Sequence, residues 1–153
     1  MADRPFKLKA RKRNDEADGQ KHVVRMLRAY LPDEIWWTVS LSGIRLPMHI
    51  AAEAKRMGMQ RGAPDFSFVF PDEMTRYIEM KTEIGVLSLE QRGVRRRVSK
   101  HNFAVCHVYP HTPGRTWAEF KAALDVWMVP LGLRWLTDTE SVQRAAFKAR
   151  SAA

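Results

Sequence analysis

The chain has 153 residues, with 26 Lys plus Arg against 17 Asp plus Glu, a formal net charge of +9 and a pI near 10.1. That length supports one domain with a proper core, and the basic excess points to a polyanionic partner, a signature that nucleic-acid binders without chemistry share. A single cysteine, Cys106, excludes an internal disulfide, and neither an apolar run long enough to span a membrane nor a signal-peptide core occurs. The expectation is therefore a soluble intracellular protein, cytoplasmic or nucleoid-associated.

Residues 1–13 hold Lys7, Lys9, Arg11, Lys12 and Arg13 with little apolar content. Such a segment is expected to be disordered when free, and a phosphate-contacting arm and a solvated charge run are equally supported. Over residues 15–31, Val23, Val24, Leu27 and Tyr30 recur at helical spacing until Pro32 stops the pattern. Glu16 and Gln20 lie one turn apart on one face; on its own, Glu16 reads as a first-turn acid favoured by the helix dipole. Residues 35–41, IWWTVSL, read as a strand, with Trp36 and Trp37 suited to packing or to stacking on bases. A turn at Ser42-Gly43 leads to a short helical pattern over residues 50–57, ended by Gly58. Its Lys55 and Arg56, with Arg61, are candidate phosphate contacts.

The stretch from Gly62 to Lys81, GAPDFSFVFPDEMTRYIEMK, carries the candidate chemistry. Phe66, Phe68 and Phe70 share one strand parity and Asp65 the other; in the following run Ile78 and Met80 oppose Tyr77, Glu79 and Lys81. A five-residue loop over 71–75 would pair Phe70 with Arg76, putting Asp65 opposite Lys81 and diagonal to Glu79. Two carboxylates and an ammonium at strand ends suit Mg²⁺ or Mn²⁺ and a phosphate. Such an ion activates water and polarises a phosphoryl group, while the lysine orients or deprotonates the water or neutralises developing charge.

Next, Ser88 and Gln91 have capping-box spacing, which accounts for both residues structurally. Arg92, Arg95, Arg96, Arg97 and Lys100 follow with no acid after Glu90, a pattern better suited to binding phosphate than to a mixed solvated face. Residues 103–109, FAVCHVY, read as a strand that buries Cys106 as an inert thiol. His107 and His111 flank Pro110 without a zinc-like partner set. Residues 116–127 form an amphipathic helix through Trp117, Phe120, Leu124 and Trp127. The segment PLGLRWL, 130–136, precedes a last helix starting near 137–139. The pattern predicts an α/β fold, with a central mixed β-sheet of about four strands flanked by helices in the order α-β-α-β-β-α-β-α.

Pro64-Asp65 followed by Glu79-Met80-Lys81 resembles the PD-(D/E)xK nuclease superfamily, whose core is restriction-endonuclease-like. More narrowly, Gly62-Ala63-Pro64-Asp65, Glu79-Met80-Lys81 and Ser88-Leu89-Glu90-Gln91 stand in the order of the G-x-PD, E-x-K and S-x-x-Q motifs of the VRR-NUC family. The resemblance covers about residues 14 to 127, and would make 1–13 a basic arm, 14–127 the nuclease domain and 128–153 an extension packed on or next to it. It implies Mg²⁺- or Mn²⁺-dependent cleavage of DNA, with Asp65, Glu79 and the Met80 carbonyl on the metal, Lys81 handling the water, and Glu16, Gln20 and Gln91 supporting them. It also implies branched DNA such as four-way junctions or flaps as substrate, and a homodimer, for which Trp36 or Trp37 and the 130–136 segment offer apolar surface. A non-catalytic basic nucleic-acid-binding module with the same fold is the alternative; an assembly adaptor using Trp36, Trp127 and Trp135 is a third reading. P-loop, G-x-S-x-G and H-E-x-x-H motifs do not occur.

Overall fold

The computed structural model describes residues 15–40, 47–60 and 62–152. The arm of residues 1–13, the turn at Ser42-Gly43 and Arg61 lie outside the described residues.

The described elements are α1 (Asp15–Tyr30), β1 (Trp36–Val39), α2 (Met48–Arg56), β2 (Phe66–Val69), β3 (Thr75–Thr82), α3 (Leu89–Arg97), β4 (Phe103–Val108), α4 (Pro113–Met128) and α5 (Asp138–Ser151). The strands form one sheet in the order β1-β2-β3-β4, antiparallel from β1 to β3 and parallel between β3 and β4. The α/β class and the mixed sheet of four strands are as the sequence pattern predicts. Parallel pairing of β3 and β4 requires a crossover, and α3 supplies it.

One face of the sheet makes the core. Phe66 and Phe68 from β2, Ile78 and Met80 from β3, and Cys106 and Val108 from β4 meet Val23 and Leu27 of α1 and Phe120, Leu124 and Met128 of α4. Phe66 and Phe120 meet edge to face at 5.0 Å between centroids, a favoured aromatic geometry. Burial pushes the Cys106 thiol up to about 12, which leaves it inert near neutral pH. The sequence places the start of α4 at Thr116; the helix instead begins at Pro113, whose fixed φ and missing N–H suit a first helical position.

Gly19 sets the approach of α1 to the sheet. A Cβ there would stand 2.5 Å from Val108 Cγ1, so only glycine lets the helix lie this close to β4. Glu16, one turn earlier, is thereby brought to the end of β3.

The 130–136 segment folds back within the chain. Leu133 and Trp135 pack against the core cluster, and the Trp135 ring meets Trp117 edge to face at 5.2 Å. The Trp135 Nε1–H donates to Asp125 Oδ1 at 2.6 Å and the Leu136 N–H to the Tyr30 carbonyl at 2.9 Å. A capping box between Thr137 and Glu140 then starts α5, and Arg144 of α5 donates to the carbonyls of Arg28 and Leu31 at the end of α1. Cationic donors there satisfy carbonyls that the helix itself cannot. Of the two apolar surfaces expected to serve a homodimer, this one is half-buried within the chain, whereas Trp36 on β1 is 62% exposed. Trp37 is turned inward against Phe66. Among the described residues no helix is long and apolar enough to cross a membrane.

Candidate active site

The β2–β3 hairpin turns more tightly than the sequence spacing suggests. Phe70 N–H donates to Met74 O at 3.1 Å and Glu73 N–H to Phe70 O at 3.0 Å, so the loop is the three residues 71–73. Glu73 takes the left-handed conformation, φ 64°, that such a loop needs. Asp72 closes it, accepting from Met74 N–H at 3.1 Å and from the Arg76 guanidinium, which also lies 4.5 Å from the Phe70 ring centroid. Phe68, not Phe70, therefore pairs with Arg76, and Phe66 with Ile78. The same register carried one residue further sets Asp65 against Glu79, so the expected Asp65–Lys81 pairing is wrong by two residues. A shift of two preserves the faces, and it brings the two acids directly opposite each other.

Both acids are buried, Asp65 to 9% exposure and Glu79 to 2%. Asp65 Oδ2 accepts from the Met80 N–H at 2.7 Å, and the Asp65 N–H donates to Glu79 Oε2 at 3.3 Å. Glu79 Oε1 receives the Lys81 ammonium at 2.8 Å and the Gln91 side-chain amide. Burial raises the Asp65 carboxyl above its ordinary range, opposed by the Met80 N–H and Lys81 and reinforced by Glu16. Burial, and then the charge of Asp65, push Glu79 from 4.5 up to about 7, against the pull of Lys81. At neutral pH the pair therefore retains part of a proton.

Gln91 fulfils two roles at once. Its Oε1 accepts from the Ser88 N–H at 2.9 Å while Ser88 Oγ accepts from the Gln91 N–H at 3.2 Å, the reciprocal cap of α3. Its amide nitrogen, left over from the cap, donates to Glu79. Capping and site contact do not compete, because they use opposite ends of one amide.

Gly62 allows this meeting. It sits at φ +81°, and a Cβ there would be 2.8 Å from Glu90 Cβ and 2.9 Å from the Glu90 carbonyl carbon. The segment leading to Asp65 and the first turn of α3 touch through it. Gly62→Ala is expected to destabilise the fold by about 1–2 kcal/mol from the left-handed backbone alone, read as a lowered urea midpoint.

Glu16 also reaches the site. Its Oε1 accepts from the Thr82 N–H at 3.1 Å, and its charge acts on Asp65. Gln20, one turn further along α1, lines a depression with Ala17, Lys21, Val24, Arg25 and Arg28. Lys55 lies in a broad groove of about 1100 Å³ between α2 and Gly62, lined by Met48, Ala51, Met59 and Gln60. Arg56 is exposed and paired with Glu53 at 2.7 Å. Arg92, Arg95, Arg96, Arg97 and Lys100 are all exposed.

The donor set suits a hard divalent cation. Two adjacent buried carboxylates offer oxygens only, and a cation would offset both the burial and the mutual repulsion that raise Glu79. Among the described residues, no cluster of three or more His, Cys, Asp or Glu could form an all-protein cage. Mg²⁺ commonly binds through one or two carboxylates plus water and substrate phosphate, which two acids satisfy.

One neighbourhood escaped the sequence reading. In the parallel β3–β4 ladder Lys81 pairs with His107, and His107 Nδ1 lies 2.8 Å from Glu119 Oε1 of α4. The only signal in the chain is a histidine of the right strand parity, and it has no meaning until the pairing is known.

Comparison with known proteins returned no match: no protein-family model fits the chain, and no curated protein or solved structure is significantly similar to it.

Proposed function

We propose that the chain is a Mg²⁺- or Mn²⁺-dependent endonuclease that hydrolyses DNA phosphodiester bonds on a restriction-endonuclease-like core similar to that of the VRR-NUC family. The observation that carries this reading is the meeting of buried Asp65 and Glu79, joined by the Asp65 N–H on Glu79 Oε2, with Lys81 and Gln91 both bound to Glu79. Asp65, Glu79 and the Met80 carbonyl would hold the cation. When bound, it would supply a Lewis acid for the phosphoryl oxygens and lower the pKa of water. Lys81, which is paired with Glu79, would orient the attacking water or offset charge developing on phosphorus. Gln91 fixes the Glu79 carboxylate, and Glu16 fixes the end of β3 through Thr82 while adding negative charge beside Asp65.

DNA, branched in preference, is the proposed substrate, and the exposed cations of α3 its phosphate-binding face. Replacing Arg95, Arg96 and Arg97 together by glutamine is expected to weaken binding and to flatten the slope of log K against log salt by up to about one per lost contact. An unchanged slope would mean that α3 is only solvated there. A homodimer presenting two sites to two strands belongs to the same proposal, with exposed Trp36 as its remaining apolar surface; light scattering with and without DNA tests it.

The alternative, a basic binding module without chemistry, shares the arginine face but gives no reason for a buried, opposed pair of acids tied to a lysine. Incubation with linear, flapped and four-way DNA in Mn²⁺ or in EDTA separates the two. Turnover in Mn²⁺ that EDTA stops supports the nuclease, and binding without turnover refutes it.

A further inference from the structure

Beside the acids, at the same end of the sheet, a second polar group is built on β4 and α4. β4 is an edge strand, and α4 covers two of its outward N–H groups: His107 N–H donates to Glu119 Oε1 at 2.9 Å and Tyr109 N–H to Thr116 Oγ1 at 2.8 Å. Protecting an open edge needs no more than that. Glu119 nevertheless also holds side chains. The same Oε1 lies 2.8 Å from His107 Nδ1, and its Oε2 accepts the Tyr109 hydroxyl at 2.7 Å. Arg115 in turn stacks over the Tyr109 ring at 3.8 Å, and the charge of Glu83 also acts on that tyrosine.

A carboxylate at Nδ1 fixes the ring, favours a proton on that nitrogen and turns Nε2 to the opposite side. Residues paired in a parallel ladder project to one face, and neighbouring strands lie about 4.8 Å apart. His107 therefore stands beside Lys81, one strand further from the acids, with its side chain 36% exposed.

We propose that His107 is a further catalytic residue, an imidazolium that gives its Nε2 proton to the sugar oxygen leaving phosphorus, with Glu119 as the positioning residue that holds Nδ1. The inference rests on the nuclease reading and adds the leaving-group side, which Asp65, Glu79 and Lys81 do not serve. In the step, the oxygen of water bonds to phosphorus and its proton passes to solvent. The bond from phosphorus to the sugar oxygen breaks, the bonding pair stays on that oxygen, and the Nε2 proton neutralises it. Solvent then reprotonates His107, and nothing is oxidised or reduced.

The test compares full-length wild type, His107→Asn and Glu119→Gln in Mn²⁺ on two DNA substrates that differ only in the bridging atom on the leaving side, oxygen or sulfur. Both the 3′ and 5′ bridging isomers are used, because the polarity of cleavage is free to be either. A sulfur leaves as thiolate and needs no proton. His107→Asn is expected to slow the oxygen substrate by about 10²–10⁴-fold, and to cleave the sulfur substrate at close to the wild-type rate. Glu119→Gln keeps an acceptor at Nδ1 without the charge, so a smaller loss with the same recovery on sulfur is expected. Should His107→Asn fail to fold by circular dichroism, His107→Gln is read in the same ratio. Equal losses on both substrates would assign the His107 side chain a purely structural role and overturn the inference. Undiminished cleavage of the oxygen substrate by the variant would overturn it too, while leaving the metal-dependent reading intact. Absence of cleavage of either substrate by the wild type would overturn both.

Discussion

Alanine at Asp65, Glu79 or Lys81 is expected to lower cleavage by about 10²–10³-fold or more in each case, with DNA affinity and fold largely retained. The expectation follows from geometry shared by all three. Asp65 and Glu79 face each other across β2 and β3, and Lys81 touches Glu79 at 2.8 Å, so each side chain bears on one point where a phosphate and a cation would meet. The cations proposed to grip the DNA lie elsewhere, on α3, and none of these substitutions touches them. Gel-shift affinity measured beside turnover separates the two contributions. Near-normal cleavage by any two of the three variants, with a contaminating nuclease excluded, would sink the assignment.

In EDTA the protein should lose stability as pH rises from 5 to 8, and Glu79→Gln should remove most of that loss. An unfolded glutamate ionises near 4.5, whereas the folded chain holds the Glu79 proton up to about 7. Between those values the folded state binds more protons than the unfolded one, so stability is highest at the acid side and falls through the window, levelling off above it. The displacement from 4.5 to about 7 corresponds to about 3 kcal/mol at about 1.4 kcal/mol per pH unit. Asp65, raised in the same direction, adds to the fall at its lower end. His22, lowered by burial and by Arg25, works the other way in part of the window, so the readout is the difference between wild type and Glu79→Gln. Urea unfolding at the two pH values measures it. Mn²⁺ should stabilise the wild type more at pH 8 than at pH 5, because a cation competes with the proton for the pair. Identical pH profiles for wild type and variant would show that Glu79 ionises freely in the fold, and a metal effect independent of pH would place the ion elsewhere.

Much of the architecture was legible because it rests on local chemistry. The alternation of Phe66, Phe68 and Phe70 against Asp65 fixed which side of β2 entered the core, and a register error of two residues could not reverse it. Ser88 and Gln91 announced the start of α3, as Pro32 and Gly58 announced the ends of α1 and α2, since caps and breakers act within a few residues of themselves.

Tertiary structure decided what depends on pairing and on approach. The hairpin register turned on Asp72 and Arg76 closing a three-residue loop around a left-handed Glu73, a side-chain contest that spacing does not resolve. Only the packed fold could bring Glu16 to the end of β3, because the approach of α1 to the sheet is set by Gly19 against Val108. The same holds for His107, which a parallel crossover pairs with Lys81, and for Glu119, which α4 brings to His107. The residue types at the site, their faces and their caps were thus determined by sequence, because they follow from backbone periodicity. Which acid faces which, and which basic and imidazole groups stand beside them, followed from strand pairing and helix packing, whose energies belong to contacts between distant parts of the chain.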